Sequence, residues 1–514
     1  MVLNDNRMLL PALWLFYCLA YAPFGINETD GGFISGLAWQ VLQGKTLYTE
    51  VLYVRPPLPV WLHAAYMWLM PDAWEVLGER CLFYGKVMLY SWWGAGVLFH
   101  GRARVQWTAL AFVVSAHNYP AAAWHTVDGI FFAALGFWLF FKGKSRWAWV
   151  LAGACMGAAA LCKQSFYPLI PFFLVLVLWF RNVKGLWAVA GLLLLCILVP
   201  GALCLQGALF AFFDMTSESA GAGEAMQHGL LDYFRIHPLV LAGSVLLAGL
   251  WWWRKDLWCT WLFGVFLCAT FAAQVFVHQE YAVPQAQTRV LFWLSAISVF
   301  AMYWKKRQVD EDLLKPTALL AVAWCSAISW GYALPVLFAA PLLWNAGFGM
   351  RNAELGMRNG RFAVVLVGLM GLFGYAYQFV YRDGPRREMH AHLGDVFPKL
   401  NGIYSSAETL ALYRDLAALN AQYGPHCTVL PAFPQANYLC GTFPPLPLDW
   451  VVRRETGGQD AYLAETAYIR NPVFLVEKTY GDRLLTDPEF AFTRRIIEEC
   501  RQVSETAHFI VYER

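Results

Sequence analysis

Apolar stretches of helical length recur along the first 381 residues and then stop. They lie near 8–24, 80–99, 107–122, 128–141, 147–162, 167–180, 185–206, 238–253, 257–277, 289–304, 316–331, 334–349 and 362–381. A helix crossing hydrocarbon needs about 20 mostly apolar residues, so the pattern predicts thirteen spans, several of them short, 128–141 and 167–180 most of all. The links between them alternate in charge. With the N-terminus inside, six inner links carry sixteen Lys or Arg residues: Arg102/Arg104, Lys142/Lys144/Arg146, Arg181/Lys184, Arg254/Lys255, Lys305/Lys306/Arg307/Lys315 and Arg351/Arg358/Arg361. The outer connections carry few, chiefly Lys45, Arg55, Lys163 and Arg235. Basic loops stay cytoplasmic, so the N-terminus is expected inside, and an odd span count puts the residues after 381 outside. Ala20-Tyr21-Ala22 has the form of a signal-peptidase site, but Pro23 follows it, and 8–24 is read as a retained first helix.

The connections are as informative as the spans. Residues 25–79 are too polar and broken to cross a membrane. The pattern there predicts helices at 31–42 and 58–70 lying in the interface, the second crowded with Trp61, Tyr66, Trp68 and Met70. Between them, the Pro pair of Val54-Arg55-Pro56-Pro57 ends an extended stretch and starts the next helix. A second outer loop, 207–237, carries Asp214, Glu218, Glu224, His228 and Asp232 among Gly, Ser and Ala, a composition suited to a lid. A third, 278–288, contains His278-Gln279-Glu280-Tyr281.

From 382 the pattern changes to that of a small α/β domain. Ser405-x-x-Glu408 predicts a capping box opening a helix that runs to Tyr423, with Gly424 as its stop. Cys427–Leu430, 473–476 and 509–512 read as strands, and 437–449 as loop. The expected organisation is a transmembrane domain over 1–381 and a soluble periplasmic domain over 382–514 of a multi-pass bacterial inner-membrane protein.

Composition agrees. Of 514 residues 59% are hydrophobic and 14% charged, against about 25% charged in soluble domains, and mean hydropathy is +0.44. Residues 382–514 hold 31 of the 73 charged side chains (38 Lys and Arg plus 35 Asp and Glu). A net charge of +3 gives no reason to expect nucleic acid. Nine of the twelve Cys fall in predicted spans as small apolar packers. In an oxidising compartment Cys427 and Cys440 could pair, leaving Cys500 free. No Cys/His spacing has the form of a zinc site.

Candidate chemistry gathers on the outer side. Asn27-Glu28-Thr29-Asp30-Gly31-Gly32 follows the first span, so Glu28 and Asp30 are expected within water's reach and able to take a proton from a hydroxyl. The plainer reading makes Asp30 an N-cap. Asp128, after Trp124-His125-Thr126-Val127 at the outer start of the fourth span, has the same two readings. Arg55, flanked by Tyr53, and Lys163 in Leu161-Cys162-Lys163-Gln164-Ser165 are cations suited to a phosphate leaving group. Simple anchoring by snorkelling is the expectation for Arg80, Lys86 and Arg235. His125 and His278 suit phosphate, a metal or an interfacial hydrogen bond.

Taken in order, these positions resemble the C-type, polyprenyl-phosphate-dependent membrane glycosyltransferases, the superfamily of the protein O-mannosyltransferases and of the transferases adding aminoarabinose to lipid A. The matching features are Glu28-x-Asp30, then Ala38-Trp39-Gln40-Val41-Leu42-Gln43-Gly44-Lys45-x-Leu47-Tyr48, then Tyr53-x-Arg55-Pro56-Pro57-Leu58, Asp128 and Lys163-Gln164. The match covers the first 170 residues; beyond, it rests on the span pattern and Gly331-Tyr332-x-x-Pro335. The resemblance implies transfer of a sugar from an undecaprenyl-phosphate donor to a glycolipid, glycan or protein acceptor, a cell-envelope activity such as lipopolysaccharide modification. It also implies Asp30 as base with Glu28 as runner-up and Asp128 as helper. Arg55, Lys163, His125 and Tyr53 would surround the donor phosphate, and Asp30 and Asp128 leave room for a divalent ion. One departure stands out: some relatives carry Glu before Lys-Pro-Pro, where this chain has Val54 before Arg55, so the cation lacks that partner. The competing classes are a transporter or flippase of lipid-linked glycans and a glycan ligase or polymerase.

Overall fold

The computed structural model describes residues 8–180, 183–217, 229, 231–254, 257–278, 285–328, 359–380 and 382–514. Helices occupy twelve of the thirteen apolar segments: Leu9–Ala20, Glu75–Leu98, Gly101–Ser115, His125–Lys142, Arg146–Ala160, Leu169–Phe180, Val183–Leu205, Pro238–Arg254, Leu257–His278, Gln285–Lys306, Glu311–Ala327 and Asn359–Ala376. The remaining segment, 334–349, lies outside the described residues, as do the centre of the 207–237 loop and most of 278–288. By length and composition, Val183–Leu205 is the one described helix long and apolar enough to cross a membrane; Leu9–Ala20, Gln164–Phe180, Pro238–Leu250, Leu262–Val277 and Gly360–Ala376 are shorter apolar helices.

Small residues let these helices close up. A Cβ on Gly153 would sit 1.7 Å from the Ala188 carbonyl oxygen, and one on Gly191 would sit 1.8 Å from that of Val150. The facing glycines therefore seat Val183–Leu205 directly on Arg146–Ala160, a packing suited to lipid, where apolar area gains nothing by leaving solvent. The outer faces are apolar: Leu205 is 93% exposed, Phe210 83% and Leu246 73%, with Leu186, Ile197, Val265 and Val277 also exposed. In water this surface would carry a cost of about 25 cal/mol per Å².

Outside this body, the short helices Phe33–Leu42 and Leu58–Leu69 fall where the interfacial pattern lies. The tail is a small α/β unit. Strands β1 (Ala391–His392) and β2 (Tyr404–Ser405) pair antiparallel, while β3 (Cys427–Leu430), β4 (Val473–Glu477), β5 (Arg501–Glu505) and β6 (Phe509–Glu513) form a sheet of order β3-β4-β6-β5. Pairing is parallel for β3–β4 and antiparallel for β4–β6 and β5–β6.

The tail also corrects several expectations. Helix Ala407–Tyr423 is capped by Ser406, which accepts from the Thr409 amide at 3.1 Å, not by Ser405. Ser405 instead donates to Asp383 at 2.7 Å. Gly424, at φ +62°, does stop that helix. The expected loop opens with a helix, Gln435–Cys440. Strand β5 and helices Asp460–Arg470 and Ala491–Glu499 went unread because short, charged amphipathic pieces carry little apolar signal. Cys427 and Cys440 are both free.

The change in pattern at 381/382 is not a break in the core. One apolar cluster runs from Phe33, Leu47, Tyr53 and Val60 through Leu203 and Phe212 into Leu400, Tyr413, Leu448 and Phe474. Hydrogen bonds follow the same seam. The Tyr404 amide donates to the Pro23 carbonyl at 2.7 Å, and the Leu52 amide to that of Pro447 at 2.8 Å. Asp383 accepts from the Ile26 amide at 2.6 Å, and Glu75 accepts from Tyr438 at 2.6 Å and pairs with Lys399 at 3.0 Å.

Candidate active site under the tail

The acid loop is built by Asn27. Its side-chain oxygen accepts the amides of Thr29 and Asp30, both at 3.0 Å, an Asx-type turn that starts the 3-10 segment Asp30–Gly32. Helix Phe33–Leu42 has Gly32 at its cap position and no side-chain cap, so Asp30 is not its N-cap and its carboxylate is left for other contacts. Asn27 Nδ2 approaches Asp30 Oδ2 at 3.2 Å, and Arg382 stands 3.9 Å from the same oxygen. Asp30 is 2% exposed, not in open water: tail residues Gln435 and Arg382 close over the loop. Glu28 is pushed up to about 7, chiefly by burial; Arg382 opposes the shift, while Asp383 and Asp30 add to it. Behind the loop lies a cavity of about 70 Å³ lined by Asn27, Gly31, Arg80, His117 and Tyr377, room for a few waters.

The cations stand on a second pair of segments, stitched together. Gln164 donates through Nε2 to the Val54 carbonyl at 2.6 Å, and the Leu58 amide donates to that of Leu161 at 3.3 Å. Tyr48 donates its hydroxyl to the Arg55 carbonyl at 2.8 Å. These bonds bring the Arg55 segment against the Lys163 turn. Arg55 stacks over Phe33 at 5.2 Å. It also makes a two-pronged ion pair with Glu455, Nη1 to Oε2 at 2.5 Å and Nη2 to Oε1 at 2.6 Å. The partner that Val54 cannot supply thus comes from the tail, 400 residues on. No sequence signal marks Glu455, because the pairing exists only once the tail folds over the loop.

Lys163 is buried and donates to Thr126 Oγ1 at 2.9 Å. Burial, with Arg55 nearby, pushes it down to about 7, and Glu455 opposes that shift. The Tyr53 hydroxyl and His125 Nδ1 are buried beside this group without hydrogen-bond partners. The charges of Arg55, Glu455 and Asp128 act on Tyr53, those of Lys163 and Arg55 on His125, and that of Asp30 on Arg55. Buried unpaired polar atoms are uncommon, and here two of them adjoin two cations.

Asp128 is neither an N-cap nor unpartnered. Trp124 holds the cap position of His125–Lys142, and Asp128, in the first turn, pairs with Lys86 at 2.5 Å. Lys86 and Arg80 are therefore not snorkelling anchors. Arg80 is buried and donates to the Ala22 carbonyl at 2.9 Å. A lysine set in the apolar run 80–99 was the available signal for Lys86. Among the described residues, no group of three or more His, Cys, Asp or Glu side chains suits a metal ion. With Asp128 held by an ammonium, Asp30 and Asp128 do not fit a shared metal centre.

No protein-family model matches the chain, and no curated protein matches it. It is similar to the solved structure of the archaeal oligosaccharyltransferase AglB from Archaeoglobus fulgidus, in complex with an inhibitory peptide and a dolichol-phosphate, at 12% identity and TM-score 0.45, covering 96% of this chain and 72% of that one. It is also similar to ArnT from Cupriavidus metallidurans bound to undecaprenyl phosphate, at 13% identity and TM-score 0.43, covering 99% of this chain and 98% of that one. The apo form of ArnT aligns at 15% identity with a TM-score of 0.43, over 98% and 97% of the two chains.

Proposed function

We propose that this chain is a glycosyltransferase of the bacterial inner membrane, with its N-terminus cytoplasmic and its tail periplasmic. It moves a sugar from an undecaprenyl-phosphate donor to an acceptor hydroxyl on the outer face. The observation that carries this reading is a buried carboxylate, Asp30, within electrostatic reach of Arg55, whose own charge acts on the buried Lys163. A base beside a cationic seat for an anion is what displacement at an anomeric carbon requires.

In this reading Asp30 takes the proton of the acceptor hydroxyl as its oxygen attacks the anomeric carbon. The bond from that carbon to the phosphate oxygen breaks, and the configuration inverts. The phosphate leaves with the extra negative charge, which Arg55 and Lys163 hold. Tyr53 and His125, buried and unpartnered, supply further hydrogen bonds to it. Asp128 keeps Lys86 and the start of its helix in place, an indirect role.

The test uses the full chain in liposomes containing undecaprenyl-phosphate-linked sugars and an envelope glycolipid extract. Transfer to the extract is expected, with loss in Asp30→Asn and a raised donor requirement in Arg55→Ala. Full activity in both Asp30→Asn and Glu28→Gln removes the base; transport without a glycosylated product favours a flippase.

A further inference from the structure

The Arg55–Glu455 pair conflicts with a simple open phosphate site. Both prongs of the guanidinium are taken by one carboxylate, at 2.5 and 2.6 Å, and the guanidinium carbon lies 5.2 Å from the centre of the Phe33 ring. A guanidinium fork fits a carboxylate and a phosphate in the same way. Two anions sharing the fork in a buried setting repel strongly. Lys163 supplies a second positive charge only when protonated, and Glu455 already claims one of the two. We propose that Glu455 is a stand-in for the donor phosphate: its carboxylate fills the phosphate seat in the unloaded protein and is expelled when the donor binds. This rests on the reading of Arg55 as the phosphate ligand.

The chain around Glu455 is built to move as a piece. Glu455 ends the 3-10 turn Arg453–Glu455. Apart from a long contact of the Arg454 amide to Glu489 at 3.4 Å, the hydrogen bonds within 452–459 are local: the Glu455 amide donates to Val452 at 2.8 Å, the Thr456 amide to Arg453 at 3.3 Å and the Gln459 amide to Thr456 at 3.0 Å. They travel with the turn. Gly457 and Gly458 follow at φ +59° and +79°, a conformation that glycine adopts without strain. A Cβ on Gly457 would press on Met215 at 2.8 Å and Val54 at 3.0 Å, so this pivot runs against the Arg55 segment itself. On its other face the turn presents Arg453 and Thr456 to a cleft of about 270 Å³ shared with Asp460, Glu489, Phe492 and Arg494. Loading the donor therefore reshapes a surface of the tail.

The alternative is that Glu455 merely holds Arg55 in position, and the two readings differ in sign. The purified full chain in nanodiscs is titrated with undecaprenyl phosphate, as wild type, Glu455→Gln, Arg55→Ala and the double variant. Hydrogen exchange of 451–460 is followed with and without the lipid. Displacement predicts that Glu455→Gln binds about tenfold more tightly, the gain vanishing in the double variant, and that lipid speeds exchange at 451–460 in the wild type. Equal or weaker binding by Glu455→Gln, with Arg55→Ala still weakened, overturns the displacement and leaves the phosphate seat intact. Unchanged binding by Arg55→Ala overturns the seat and the displacement together. If Glu455→Gln folds poorly, the wild-type exchange decides: no response to the lipid at 451–460 rejects the proposal.

Discussion

Asp30 and Asp128 are alike in most respects that a sequence or a burial value reports. Each lies in the first turn of a helical segment, and each is almost fully buried, at 2% and 3% exposure. They differ in what holds the charge. Asp128 is in contact with Lys86 at 2.5 Å, whereas Asp30 has an amide at 3.2 Å and a guanidinium at 3.9 Å. A contact ion pair in a buried setting is costly to break, because either partner left alone is an uncompensated charge. A carboxylate held by one neutral donor and a distant cation is left able to take a substrate hydroxyl as a partner. The pairing, not the burial, separates a candidate base from a structural acid.

The largest effect that would break this comparison is on turnover. Asp30→Asn is expected to lower the transfer rate in liposomes by about 10²–10⁴-fold, the usual worth of a general base. Asp128→Asn should cost far less once corrected for the amount of folded protein. Equal losses in the two variants would falsify the division of roles.

The next effect is on folding and belongs to Asp128. Lys86→Met leaves a buried carboxylate without its partner, which typically costs about 3–5 kcal/mol. The double variant Lys86→Met/Asp128→Asn removes both charges and should regain most of that loss. Thermal unfolding in detergent measures both; a double variant no more stable than Lys86→Met would mean that the pair is not what holds this joint.

Much of this was legible before the fold was known, and the limits are physical. Helix positions follow from apolar runs, and all twelve segments that fall among the described residues carry helices because an unbroken apolar stretch has few other ways to satisfy its backbone. Asp30, Arg55, Asp128 and Lys163 stand out because polar groups at an apolar boundary are costly and few. What stayed hidden was pairing. Glu455 lies among several acids in a charged tail, and only the tail's closure over the 25–79 loop brings it to Arg55. Asp30 misses the cap position of Phe33–Leu42 because a 3-10 turn, Asp30–Gly32, comes first and puts Gly32 there, a local detail that spacing does not encode.

A smaller effect sharpens the comparison through pH. Lys163 is pushed down to about 7 in the folded chain, against about 10.4 for a free lysine. Between these values the unfolded chain holds the proton and the folded one does not, so this group's contribution to stability rises with pH across roughly 7–10. Phosphate binding favours charged Lys163, so affinity for undecaprenyl phosphate should fall as pH rises through about 7. Lys163→Arg keeps its charge throughout and should flatten that dependence; an unaltered pH profile excludes Lys163 from the seat.

The smallest effect concerns Glu28, which shares the acid loop with Asp30. Its folded form titrates at about 7, above the ordinary value of about 4.3. Across that window the folded chain keeps a proton that the unfolded chain has lost. Its contribution therefore weakens as pH rises from about 4.3 to 7 and is level above that. Glu28→Gln mimics the protonated form. It should be indistinguishable from wild type in stability at low pH and modestly more stable above 7, with turnover kept within about tenfold of wild type if Asp30 is the base. The signs can be read separately. A stability gain with little change in rate leaves Glu28 as a neutralised neighbour that keeps negative charge off Asp30. A rate loss exceeding that of Asp30→Asn would instead make Glu28 the base, because a carboxyl pushed up to about 7 is well matched to proton transfer near neutral pH.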